Sequence, residues 1–313
     1  LLVIITAAFV LYTLVGGQYA VVYTDVIQFF VMIIGICFIA APLLLIEALP
    51  NLHQLPAASL SFPINSNIGA LSVGSFFFMM LMPHIVGPDI YSKLLSAKDE
   101  KTARKGAIFS GIFKFIFAIA IGIIAISAIV LYPGLNPTSL AIPTAVFGLS
   151  PILAGLIFAA LISVMLSSAD SCLLSAGTIL SIDIFRKKEF KKIGTFGISR
   201  IGMLIVGICA LILALYHTKL GGILDTLKFS YTIFTAGLTL PIIFGFYKEK
   251  THVSSTGALW SLILGGVTSL IWLNFTPKAY YPEYAVLIGL AVSVIPLLVF
   301  RDKNMSKKIS LKQ

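Results

Sequence analysis

The stretch Ala159-Ala-Leu-Ile-Ser-Val-Met-Leu-Ser-Ser-Ala-Asp-Ser-Cys-Leu-Leu-Ser-Ala-Gly-Thr178 sets a file of hydroxyls and one carboxylate into a segment otherwise apolar enough for a bilayer. Hydrocarbon supplies no water, so these oxygens must bond their own helix, a neighbour, or a species that crosses. Val164, Ser167, Ser168, Ser171, Ser175 and Thr178 follow one another by three or four residues and share one helical face, with Asp170 one step round from it. Hydroxyls in membrane helices often serve only close packing, each satisfied by a carbonyl three or four residues earlier. That reading suits Ser175 and Thr178. Ser167, Ser168, Asp170 and Ser171 put four polar groups in five residues, more than packing needs. Hydroxyls with one carboxylate are the donor set of a small hard cation, sodium, or of a proton.

The rest of the chain agrees with a membrane setting. Of 313 residues, 58% are hydrophobic and 11% charged, with a mean hydropathy of +1.04. A soluble domain carries roughly a quarter of its residues charged. Apolar runs fall at about 1–15, 25–48, 71–92, 106–132, 151–185, 197–216, 222–247 and 255–300. The last holds two spans, because Thr276-Pro-Lys-Ala-Tyr-Tyr-Pro-Glu283 has interfacial composition. The first is too short to cross, which leaves eight spans at roughly 20 residues each. It starts at Leu1 with no Met, basic region or cleavage site, so it is not read as a signal peptide, and a chain lacking its N-terminal part is expected.

The net charge of +10 is a topology signal rather than a nucleic-acid footprint. Lys and Arg gather at 93–105, 186–200, 248–250 and 301–312, in groups of five, six, two and five, eighteen of the twenty-two. With eight spans all four groups lie on one side, and the opposite loops carry only Lys219 and Lys278. The positive-inside rule then places the C-terminus and a basic tail, 301–313, in the cytoplasm. Cys37, Cys172 and Cys209 lie inside spans without paired spacing and read as packing residues. No phosphate-binding loop, dinucleotide fingerprint, metalloprotease pair or nucleophile elbow occurs, so enzyme chemistry is not expected.

Three further features carry chemistry. Gly16-Gly-Gln-Tyr-Ala-Val-Val-Tyr-Thr-Asp-Val-Ile-Gln28 is a glycine turn into a span whose first turn is expected to hold Asp25, as a helix cap or as an ion ligand. Pro83, Gly87 and Pro88 interrupt the third run, either as a kink or as a broken helix beside a cavity. Lys114 stands nine residues past the basic loop, roughly 13 Å into its helix, where it either snorkels or faces a cavity. Asp225 and Lys228 are spaced to form a structural pair or an outer-gate contact.

At these residues the chain resembles the sodium/solute symporter family, which contains bacterial proline, pantothenate, sugar and sialic acid symporters. The matching elements are Gly16-Gly-x-x-Ala-Val-x-x-Thr-Asp25-x-x-Gln28, Gly87-Pro-Asp-Ile-Tyr-Ser-Lys-Leu-Leu-Ser-Ala-Lys98 with Ala103-Arg-Lys-Gly106, the helix from Ala159 to Asp183, and Gly245-Phe-Tyr-Lys248 before Thr256-Gly257. The resemblance implies an all-α polytopic membrane protein with the inverted-repeat fold of the amino-acid transporter superfamily. On that mapping 1–313 is one transporter domain comprising core helices 4–10 and two peripheral helices, without core helices 1–3. It implies a sodium site formed with core helix 1 by the Val164 carbonyl and the Ser167 and Ser168 hydroxyls. It also implies a further sodium site at Asp25, Ser167, Asp170 and Ser171, although Asp170 stands where serine is usual, which leaves sodium binding, protonation and internal pairing open.

Lys114 falls where sugar-transporting members contact substrate, but Phe76-Phe-Phe-Met-Met-Leu-Met-Pro83 lacks the asparagine and tyrosine those members use. The expected function is secondary transport of a small organic solute with sodium as coupling ion, in the cell membrane, with the lipid bilayer and no nucleic acid as partner. Its rivals are a proton-coupled or sodium-independent carrier of the same fold and a non-transporting membrane sensor.

Overall fold

A helix in hydrocarbon must close its own hydrogen bonds, and each interruption has to be satisfied by something nearby. The computed structural model describes residues 2–55, 64, 69–135, 140–184, 194–216, 223–275 and 284–302, almost all helical. Helix α1, Leu2–Met32, breaks at Gly17, whose φ of 55° and ψ of −141° suit only glycine. Near the break the Leu14 carbonyl accepts a bond from Arg200 Nε at 3.0 Å. Beyond Met32 the chain widens into π-helical turns over Ile33–Ala40 and continues as α2, Ala41–Ala48. Pro42 accounts for the widening: it has no N–H, and its ring presses on the carbonyl four residues earlier.

The following helices are α3 (Ala70–Val86), α4 (Pro88–Leu95), α5 (Glu100–Leu131), α6 (Ala141–Phe147), α7 (Pro151–Ile179), α8 (Gly194–Leu215), α9 (Ile223–Phe246), α10 (Lys248–Thr251), α11 (Ser255–Phe275) and α12 (Tyr284–Val299). Among the described residues, seven helical stretches are long and apolar enough to cross a membrane, and Tyr284–Val299 is a shorter apolar helix. The eight expected spans are thus seven of full length and one of 16 residues.

Two boundaries differ from expectation. The helix expected to start near residue 25 resumes directly after Gly17, so Asp25 lies about two turns inside it and caps nothing. Helix α5 starts six residues before 106, at Glu100, so the basic residues Lys101, Arg104 and Lys105 are helical rather than loop. Its cap is Asp99, whose carboxylate accepts from the Thr102 N–H at 2.7 Å. That bond holds the exposed Asp99 carboxyl below the usual carboxylate range.

The chain divides into two compact units, residues 1–60 with 92–213 and residues 61–91 with 214–313. In the first, Ile36, Leu44, Ile124, Val146, Ile157 and Ala160 form the core, where the π-helical segment, α2, α5, α6 and α7 meet. Helices α7 and α8 cross at Gly177 and Gly202: a side chain at Gly177 would strike Met203, and one at Gly202 the Gly177 carbonyl. In the second unit, α9, α11 and α12 pack together with α3 against them. Val253 bridges Arg301, and the Asp302 N–H bonds the His252 carbonyl at 2.7 Å, bringing the 248–250 basic group and Arg301 to one end of that unit. His217, Lys219, residues 276–283 and the tail from 303 onward lie outside the described residues, as does the Asp225 side chain of the suggested Asp225–Lys228 pair.

Candidate ion and solute site

The hydroxyl file of α7 divides between two surroundings. Val164, Ser167 and Ser168 line a cavity of about 790 Å³ in the first unit, together with Asp25 of α1, Lys93 of α4 and Lys114 of α5. Its remaining wall is mostly apolar, with a cluster of phenylalanines: Phe29 and Phe113 meet edge to face at 4.9 Å, and Phe109 and Phe113 lie 4.5 Å apart. Ser167 Oγ donates to the Val164 carbonyl at 3.2 Å, a distance long enough that the two oxygens hold each other only weakly.

Asp170 and Ser171 face elsewhere. Asp170 is fully buried and accepts a 2.7 Å hydrogen bond on Oδ2 from the Tyr12 hydroxyl, while Ser171 Oγ lies 3.3 Å from Oδ1 and donates to the Ser167 carbonyl at 3.0 Å. Thr24 and Gln28 of α1 also interact with the Tyr12 oxygen. The geometry therefore pairs Asp170 internally, with a phenol of the first helical run. Thr178 follows the packing reading, donating to the Leu174 carbonyl at 2.6 Å. Ser175 does not: its hydroxyl is buried with no hydrogen-bond partner among the described residues.

Asp25 is the second departure. Its Oδ2 sits 2.9 Å from the Lys93 ammonium, and its Oδ1 is buried without a partner among the described residues, as is Gln28 Oε1 one turn further on. The carboxylate is thus a paired, half-satisfied group on the cavity wall. Lys114 lines the same cavity, and because α5 starts at Glu100 it stands about 21 Å along its helix rather than 13 Å. Gly87 separates α3 from α4 with extended backbone, so the proline-glycine segment is a true break.

Sequence reasoning misses two neighbours of the site. Tyr12 belongs to a run that looks too short to cross, so nothing local marks it as the partner of Asp170. Lys93 reads as one cation of a topology cluster. No local pattern marks it as the partner of Asp25.

The sequence model of the Sodium:solute symporter family matches residues 1–265. The chain belongs to that family. Similar members include an osmoregulated proline transporter of Bacillus subtilis, 24% identical over 93% of this chain and 60% of that protein. A sodium/glucose cotransporter of Vibrio parahaemolyticus is 26% identical over 85% of this chain and 55% of its own length, and sodium/proline symporter 2 of Staphylococcus saprophyticus is 26% identical over 91% and 58%. The chain therefore spans about three fifths of the relatives it matches. A Na+-coupled sialic acid symporter, solved in a substrate-bound outward-open state, superposes with a TM-score of 0.73 at 19% identity, covering 98% of this chain and 66% of that one. That likeness shows that this chain shares the fold of that symporter over the matched length. The family and these relatives are transporters, not enzymes, and this member of the sodium:solute symporter family is a multi-pass membrane protein.

Proposed function

We propose that the protein is a secondary transporter of the cell membrane that carries a small organic solute inward, driven by sodium, with its C-terminus and basic tail in the cytoplasm. The observation that carries this reading is the gathering of Asp25, Val164, Ser167 and Ser168 on one cavity wall, in a chain of this family. These are oxygen donors of the kind a hard cation prefers, and one carboxylate offsets its charge. In this reading the Val164 carbonyl with Ser167 and Ser168 forms one sodium site, and Asp25 anchors a second. Asp170 and Ser171 support that second site through Ser167, and Lys114 faces the solute. Sodium bound to one conformation biases the protein toward it, and solute binding then permits the rocking that opens both sites to the cytoplasm.

The test is uptake by the full-length protein in proteoliposomes, using proline, glucose and sialic acid as first solutes. An inward sodium gradient is expected to drive accumulation, and Ser167→Ala combined with Ser168→Ala to raise the sodium concentration needed. Uptake indifferent to sodium would overturn the proposal. The buried Tyr12–Asp170 hydrogen bond favours one second reading, a proton-coupled carrier with Asp170 as proton site. A pH jump without sodium separates the two.

A further inference from the structure

Asp25 shows an asymmetry that the rest of the site does not share. Its Oδ2 is held at 2.9 Å by the Lys93 ammonium, whereas its Oδ1 is buried and, among the described residues, unpartnered. A buried carboxylate oxygen without a donor is costly, and a bound cation would satisfy it. Gln28 Oε1, one turn along the same helix, is in the same condition. The cavity wall thus presents one unpartnered oxygen, on a carboxylate whose charge is already neutralised by a tethered amine.

We infer that Lys93 is an internal competitor for the cation site at Asp25: its ammonium occupies the carboxylate when the site is empty of sodium and is displaced when sodium binds. This inference rests on the sodium-coupled reading above and adds the residue that sets the affinity of the Asp25 site. Three features support it. Two monovalent cations on one carboxylate repel, so full sodium coordination by Asp25 and retention of the ion pair oppose each other. The Lys93 side chain is 39% exposed and that of Asp25 21%, so the surrounding residues of this chain do not enclose the ammonium. Lys93 also sits on α4, directly after the Gly87 break, so its release acts on the segment that follows the interrupted helix. The pair is therefore placed to couple ion occupancy at α1 to the freedom of α4.

The experiment uses the full-length protein in detergent and in proteoliposomes, with sodium chloride replaced stepwise by choline chloride at constant ionic strength. Lys93→Gln removes the competitor and is expected to lower the half-saturating sodium concentration for thermal stabilisation and for uptake by roughly five- to tenfold. Lys93→Arg keeps the charge and should leave that concentration unchanged or higher. In the unaltered protein, sodium should increase labelling of Lys93 by an amine-reactive reagent, followed by peptide mass spectrometry, which needs no variant to fold. An unchanged sodium requirement in Lys93→Gln, or Lys93 labelling insensitive to sodium in a protein that sodium still stabilises, would overturn the inference while leaving sodium coupling intact. A protein whose stability and uptake ignore sodium would instead remove the proposed function and this inference together.

Discussion

Both units contain serine and threonine inside apolar helices, and they use them in opposite ways. In the second unit, Ser261 donates to the Ser293 carbonyl at 2.7 Å, Ser269 to the Ala285 carbonyl at 3.0 Å and Thr235 to the Met79 carbonyl at 3.2 Å. These bonds tie α11 to α12 and α9 to α3 beside glycines that allow close approach, as membrane helix packing requires. In the first unit three hydroxyls of α7 stand near carboxylates: Ser171 against Asp170, and Ser167 and Ser168 on the wall that holds Asp25. A hydroxyl within a span is therefore not a site by itself. The carboxylates decide it, because an intramembrane charge needs a counterpart that packing cannot supply.

The sharpest way to break this contrast is steric. A side chain at Gly289 would collide with Ser269 Oγ, lie 2.6 Å from Ala236 Cβ and 2.8 Å from the Gly265 carbonyl. Gly289→Leu should cost about 3 kcal/mol or more by overpacking, visible as loss of a monodisperse peak in size-exclusion chromatography. A well-folded Gly289→Leu protein would contradict the packing role given to this unit.

A gentler pair tests the two kinds of hydroxyl directly. Tyr12→Phe deletes the principal donor to buried Asp170 and should cost about 1–3 kcal/mol of stability, because a buried carboxyl oxygen is left without its partner. Ser261→Ala removes a neutral bond and should cost about 1 kcal/mol. Thermal unfolding in matched sodium and choline buffers reads both. The first should also alter the sodium response, and the second should not.

The smallest effect comes from Asp99, the carboxylate that is a true cap. Its folded value is lowered by Thr102, so its contribution is present above the unfolded value of about 3.9 and fades as pH falls through the folded one. Asp99→Ala should lower the melting temperature slightly at neutral pH, and the difference should close in acid. Sodium should not enter, in contrast to Asp25.

What the chain reveals in advance follows from how local each signal is. Hydropathy acts over one helix at a time, so the apolar runs, the glycine break at 16–17 and the interruption at Pro83, Gly87 and Pro88 are legible. So is the polar face of α7, since three- and four-residue spacing is a property of a single helix. The start of α5 is not, because Glu100 to Lys105 is polar yet follows a capping aspartate, and a helix can begin in water before it enters hydrocarbon. Asp25 resembles a cap because the Gly16–Gly17 turn precedes it, but the helix resumes directly after Gly17 and places Asp25 in its interior.

By itself, then, the amino-acid sequence determined an all-helical membrane protein with a polar face at Val164 to Ser171, because both are consequences of polarity repeated at helical spacing. Tertiary structure alone decided how the acidic groups are used. Tyr12 reaches Asp170 across 158 residues, and Lys93 reaches Asp25 from another helix. Such pairings depend on which faces meet when helices pack, and no single helix carries that information.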